Sequence, residues 1–238
     1  MPGPLNLWGV ELEGGWDWDE IDEDGNSEEG ENCHPDFHED GSVSDIDSQY
    51  VGELSSPPLP LVDIKKYIIR NYPSAFNSSC GMHLHTSVNS VGDYSLLMDK
   101  RFTKLVRDRF TVWGQENVPN LHAFWNRLRG SNTYCEINQW DNPVSGLEYE
   151  ADMQAKYHDR TGFRYKHLNF CYALHGTVEF RMLPMFPSSA LAVKAVSLYA
   201  SILRGWIRKT RIEEEIEKRD VFDVANDDVI INEVSECA

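Results

Sequence analysis

The chain predicts an α+β fold, on two observations. Several segments alternate apolar and polar side chains residue by residue, the mark of half-buried strands, and they look antiparallel. Interspersed with them are a few stretches carrying an apolar stripe at helical spacing. The clearest strand pair is His167–Leu174 (HLNFCYAL), a turn at His175-Gly176, and Thr177–Leu183 (TVEFRML).

Taken in order, Leu7–Leu12 (LWGVEL) reads as a short strand stopped by Gly14-Gly15. Residues 17–48 are acidic and poor in large aliphatic side chains, and are expected to form a long loop. Trp16 and Trp18 border that loop, either as a substrate-facing lid or as packing beneath it. Ser55–Pro60 (SSPPLP) is a stiff connector. Leu61–Asn71 follows as a helix that Pro73 ends. Gly81–Val88 (GMHLHTSV) alternates as a strand, with Met82, Leu84, Thr86 and Val88 on one side and His83 and His85 on the other. Helices are expected over Leu96–Trp113 and Asn120–Leu128. Residues 130–165 have no clear pattern. The last helix opens at Ser188 or Ser189 as N-cap and runs to about Arg219. Residues 1–219 are thus expected to form a single domain, with 220–238 a loose acidic tail.

With 238 residues and 41% hydrophobic side chains, the chain has enough apolar mass for a sizeable core. Its net charge of −17 is localised: residues 1–63 hold 18 acids and no Lys or Arg. No basic stripe is available to neutralise phosphates, so neither non-specific nucleic-acid binding nor attraction to anionic membranes is expected. No run of 18 apolar residues occurs, and the start lacks the basic and apolar regions of a signal peptide. Five dispersed cysteines fit neither a disulfide framework nor a zinc cluster, so a reducing, cytoplasmic setting is expected.

Three strands carry polar residues two apart: Glu11/Glu13, His83/His85 and Glu179/Arg181. That spacing puts each pair on one face of its strand. Alone, each pair is ordinary for a solvated strand face. If the strands share a sheet, one face gathers carboxylates, imidazoles and a guanidinium. Such a face suits a hard divalent cation together with phosphate, the carboxylates taking the metal and the Arg fork the phosphate.

GVELE at 9–13, DGSV at 40–43, GELSSPPL at 52–59, CGMHLH at 80–85 and HGTVEFR at 175–181 occur in the order found in the amidoligase family. The chain resembles that family over about residues 7–210, and through it the glutamine synthetase and glutamate–cysteine ligase group of carboxylate–amine ligases. The resemblance implies a mostly antiparallel curved sheet with helices on one face. It also implies an ATP-dependent, Mg2+- or Mn2+-requiring ligase that forms an amide through an acyl phosphate.

By the same resemblance, Glu11, Glu13, Glu53 and Glu179 are metal ligands, with His83 or His85 contributing to the nucleotide–metal site. Arg181 would hold the transferred phosphoryl group, and Arg129 in RLRGSNTYC is a second phosphate candidate. Asp40 and Ser42 of the Asp-Gly-Ser motif would border the substrate, Asp40 being one candidate for taking the amine's proton. Asn169 matches without an assigned role. The 26 residues Gly14–Glu39 are a shorter segment than the family carries, so a second copy or a partner is one way to complete the substrate wall. The expected substrates are small-molecule or peptide carboxylates and amines. A metal-dependent hydrolase and a non-catalytic acidic binding protein are the competing expectations.

Overall fold

The computed structural model describes residues 7–17, 34, 36–43, 45–87, 96–97, 99–132, 135–137, 166–169 and 176–235, with side chains described as far as 213. The chain divides into two compact units, Met1–Ala200 and Ser201–Ala238. The division falls inside the last helix rather than at 219.

The first unit is a mixed α+β structure built on six strands: β1 (Trp8–Trp16), β2 (Phe37–His38), β3 (Tyr50–Ser55), β4 (Gly81–Ser87), β5 (Leu168–Asn169) and β6 (Thr177–Pro184). They form one antiparallel sheet in the order β2-β3-β1-β4-β6-β5. Four helices are described: α1 (Leu61–Arg70), α2 (Lys100–Asn117), α3 (His122–Leu128) and α4 (Ser189–Ser235).

β1 runs past the expected stop at Gly14-Gly15. Neither glycine breaks the ladder, since Gly14 pairs with Gly52 and Gly15 with Val51. Both are glycines because the chain packs against them. A Cβ on Gly14 would stand 2.6 Å from Pro73 Cβ, and one on Gly15 would stand 2.6 Å from Ser48 Cβ. β3 lies where the sequence suggests only the approach to a connector, and β2 lies within the acidic segment.

α1 ends where expected, with Asn71 as its C-cap. α2 starts later than its apolar stripe, because Asp99 caps it by accepting the Arg101 N–H at 2.7 Å. Ser188 caps α4, taking the Leu191 and Ala192 amides on its carbonyl. The helix then continues to Ser235, beyond the expected end at about Arg219. No Pro or Gly follows Gly205, so no residue there stops the helix. Its Ser189–Glu213 stretch is long and apolar enough to cross a membrane, yet half of the apolar window is buried inside the protein, as in a core helix.

The expected strand pair is present as β5 and β6, antiparallel, with Leu168 opposite Phe180 and Asn169 opposite Glu179, a register three residues away from the one a turn at His175-Gly176 alone would give. Residues 170–175 of its expected first strand and turn, Val88, Trp18 and 138–165 lie outside the described residues.

One sheet face is apolar. Val10, Leu12, Leu54, Met82, Leu84, Val178 and Phe180 are buried there. Phe180 stacks on Tyr199 of α4 at 3.9 Å, and its ring lies 5.7 Å from Phe110 of α2. Each such large side chain contributes about 1.5–3 kcal/mol on full burial. The face is continuous on β6 only because of a bulge. Leu84 opposes Phe180 and Met82 opposes Leu183, so β6 spends one extra residue there.

Candidate functional site

The opposite face gathers the polar pairs, because residues directly paired across a ladder share a face. Glu11 is opposite Ser55 on β3 and His83 on β4. Glu13 is opposite Glu53, and His85 is opposite Glu179. Strand alternation sets the side within each strand, and the registers then bring four strands' polar residues to one place.

His83 is the centre of the cluster. Its Nδ1 lies 3.0 Å from Glu11 and 3.5 Å from Glu179, and its Nε2 lies 3.5 Å from Glu13. His85 Nε2 meets the other Glu11 oxygen at 2.8 Å, and its Nδ1 is 3.3 Å from Thr177 Oγ1. Glu13 also accepts the Gly81 backbone N–H. Glu179 is held between Arg181 and Asn169, whose Nδ2 donates to it at 2.7 Å. This interaction supplies a place for Asn169, which positions a carboxylate.

Two overlapping sets of donor atoms come within 4.8 Å of one another: Glu11, His83 and Glu179, and Glu13, Glu53 and His83. A neutral imidazole has one N–H and one lone pair, so His83 serves only one set at a time. Four carboxylates with one imidazole form a predominantly oxygen donor set, which fits Mg2+ or Mn2+ better than a soft metal.

The ionisable groups of the cluster shift one another in both directions. Burial and the charges of Glu11, Glu13 and Asp40 push the Glu53 carboxyl up to about 8, against a hydrogen bond from Ser55. Burial also works against the Glu11 charge, but His85 and His83 outweigh it and hold Glu11 well below the usual range. Burial disfavours protonated His85 as well, yet Glu11 beside it raises His85 to about 9.

Arg181 is buried beside the cluster. Burial opposes its charge, while Glu179, Glu11 and Glu13 more than compensate. Arg129 is not brought in: it sits exposed at the C-cap of α3. Arg127, two residues earlier, is the arginine that reaches the cluster. It is buried, with Nη1 donating to Arg181 O at 3.3 Å and Nη2 to Ser79 O at 2.8 Å. Its guanidinium and His83 Nε2 both border the space above Gly81, where a Cβ would stand 2.9 and 2.8 Å from them. His167 supports the same turn, donating from Nε2 to Arg127 O at 2.8 Å; burial lowers it to about 4, so it is neutral. Arg127 was detectable in principle, because it lies three residues after Phe124 on the buried side of a helix.

Asp40 and Ser42 form a local turn. Asp40 accepts from the Ser42 N–H and hydroxyl, both at 2.8 Å. Asp40 is near enough to Glu53 to raise its carboxyl, but Ser42 is exposed. Trp16 is no lid: it is buried, donates from Nε1 to Asn71 O, and packs edge-on to Phe37 at 5.8 Å.

No family model, curated protein or solved structure matches this chain.

Proposed function

We propose that this protein is an ATP-dependent carboxylate–amine ligase of the amidoligase type, working with Mg2+ or Mn2+. The observation that carries the reading is the meeting of Glu11, Glu13, Glu53 and Glu179 around His83, with Arg181 beside them. The sheet with its helices is compatible with the glutamine synthetase-like arrangement that the motifs suggest.

A carboxylate does not condense with an amine in water, because hydroxide leaves poorly. In the proposed reaction the substrate carboxylate attacks the γ-phosphate of ATP, releasing ADP and leaving an acyl phosphate. The amine then attacks the acyl carbon, phosphate departs, and a base takes the amine's proton. A divalent cation held by the carboxylates would neutralise phosphate oxygens and lower the barrier to bringing two anions together.

The chain's own residues have distinct tasks in this scheme. Arg181 offers its guanidinium to the moving phosphoryl group, and its orientation is set by Glu179, which Asn169 holds in turn. Arg127 anchors the Arg181 backbone from below. Asp40 stands at the Glu53 edge, where a substrate group could meet it.

Incubation with Mg-ATP and a broad metabolite extract, read by mass spectrometry, tests the proposal. The expected products have the mass of two inputs minus water and appear with ADP. Metal-dependent cleavage without ATP would instead support a hydrolase, and neither outcome would leave only a binding role.

A further inference from the structure

A cleft of about 440 Å3 opens between the start of β1 and the end of β4, next to the carboxylate cluster. That is the size range of small-ligand sites. Its wall is mainly apolar, with Leu7 and Pro58 as exposed aliphatic surface. Gly9 lies on the cleft side with no side chain to occupy it. Trp8 and Val10 belong to the wall through their backbone. Strand alternation turns their side chains to the apolar face of the sheet, where Trp8 meets Tyr199 edge-on at 6.2 Å.

The polar groups of the wall are occupied within the protein. Ser55 Oγ donates to Glu53 at 2.8 Å, and Ser56 Oγ accepts from Val10 N–H and donates to Pro57 O. Ser87 Oγ accepts from the Leu7 N–H and donates to the Leu7 carbonyl. Thr177 Oγ1 meets His85 Nδ1 at 3.3 Å. The backbone is engaged as well. Trp8 and Leu59 exchange both hydrogen bonds at 2.8 Å, and the Leu7 and Val10 carbonyls accept from Ser87 and Ser56.

The charges are equally taken. Among the described residues lining the cleft, only Glu11 and His85 are ionisable, and they meet each other at 2.8 Å. The second Glu11 oxygen meets His83, and Glu11 is also a donor to the proposed cation. Neither group is left for a charge arriving through the cleft. An ammonium and a carboxylate would both lose hydration there without gaining an ion pair, whereas an uncharged chain would gain apolar contact. With the Trp8 ring on the other face, only the His85 imidazole is offered for stacking a flat heterocycle.

We propose that this cleft is a binding site for an uncharged aliphatic group, held against Leu7 and Pro58. Binding of such a group stands by itself. That the group is the apolar part of a substrate whose reacting end lies at the carboxylates rests on the ligase reading.

Amide chemical-shift titration of the full chain in Mg2+, without ATP, tests the assignment with n-hexanol, n-hexylamine, n-hexanoate and adenosine as probes. Hexanol is expected to bind with saturable shifts at the Leu7, Gly9 and Ser87 amides. Both ions and adenosine should bind about ten-fold or more weaker. Shortening the alcohol to n-pentanol and n-butanol should cost about two- to four-fold per methylene. Leu7→Asp and Leu7→Lys should each weaken hexanol by about three-fold or more, with unchanged melting temperatures, while Leu7→Met retains it. Losses of the same sign from opposite charges separate apolar contact from an electrostatic role. An ion or adenosine binding as tightly as hexanol, no saturable shifts at those amides, or hexanol affinity unchanged in both charged variants would each overturn the site. The two readings fail separately. Hexanol binding with no ATP-dependent product in any amine–carboxylate pair removes the ligase and leaves the cleft. Ligation whose substrate KM values are all indifferent to Leu7→Asp removes the substrate subsite and leaves the ligase.

Discussion

His83 Nδ1 lies 3.0 Å from Glu11 Oε2, its direct partner across the β1–β4 ladder, while Glu11 Oε1 lies 2.8 Å from His85. One carboxylate thus touches both histidines of the His-x-His pair. Glu11 is consequently the residue that joins both imidazoles to the carboxylate cluster.

Glu11→Gln and Arg181→Ala are expected to remove ATP turnover, each by about 100-fold or more, the usual cost of losing one preorganised charge contact. Coupled ADP-release assays give the rate, and circular dichroism checks that the sheet persists. Full turnover in either variant would refute the proposed site.

Cation binding should depend on His83 more than on His85. In a titration with Mn2+ followed by electron paramagnetic resonance, His83→Ala is expected to lower affinity by about ten-fold or more, because both candidate donor sets contain His83. Chelation with EDTA should abolish turnover, and Mg2+ or Mn2+ should restore it. Equal affinities in the two histidine variants would count against this geometry.

Without a cation, stability should fall as pH rises from about 5 to 9. The folded Glu53 carboxyl, raised to about 8 from an ordinary 4.5, holds a proton that the unfolded chain has released between those values. His85, raised to about 9 from 6.5, contributes stability that is full below 6.5 and is lost as pH passes 9. Glu11 acts oppositely, its contribution being lost as pH falls below the ordinary 4.5. Melting curves across pH should show this slope, and both Glu53→Gln and saturating Mg2+ should flatten its lower part. A slope unchanged by Glu53→Gln would be the contrary result.

The two neighbouring arginines should separate cleanly. Arg127→Met leaves the Arg181 and Ser79 carbonyls without their donor in a buried place, with an expected loss of about 1–3 kcal/mol in denaturant unfolding. Arg129→Ala, at an exposed position, should change stability by less than about 0.5 kcal/mol. Comparable losses in both would contradict the placement of Arg127.

Gly14→Ala should destabilise by about 1–3 kcal/mol, because its methyl would stand 2.6 Å from Pro73 Cβ and 2.9 Å from the Ala75 carbonyl. Gly41→Ala meets nothing within 4 Å and is a matched control in the same thermal melts.

Much of the site was legible in the chain because strand alternation is local. Glu-x-Glu, His-x-His and Glu-x-Arg must each present one face, whatever else the protein does. The α+β class and the pairing of the strands that carry Asn169 and Glu179 follow from equally short-range patterns, though their register does not. Less legible was anything that depended on what packs nearby. Gly14 and Gly15 read as a break, yet they are the two places where β1 is approached closely by other segments. Arg129 attracted attention through its motif, whereas Arg127 is the residue whose helix position faces inward.

By itself, the sequence determined which side chains share a face along each strand, how the charge is distributed, and that the last helix begins at Ser188 or Ser189. Only the tertiary structure decided that β1, β4 and β6 are neighbours, that the β6 bulge keeps Phe180 and Leu183 on the apolar side, and that Glu53 joins Glu13. The reason is range. Alternation and capping are settled within a few bonds of backbone, but ladder register and the meeting of Glu11, His83 and Glu179 depend on contacts between residues far apart in the chain.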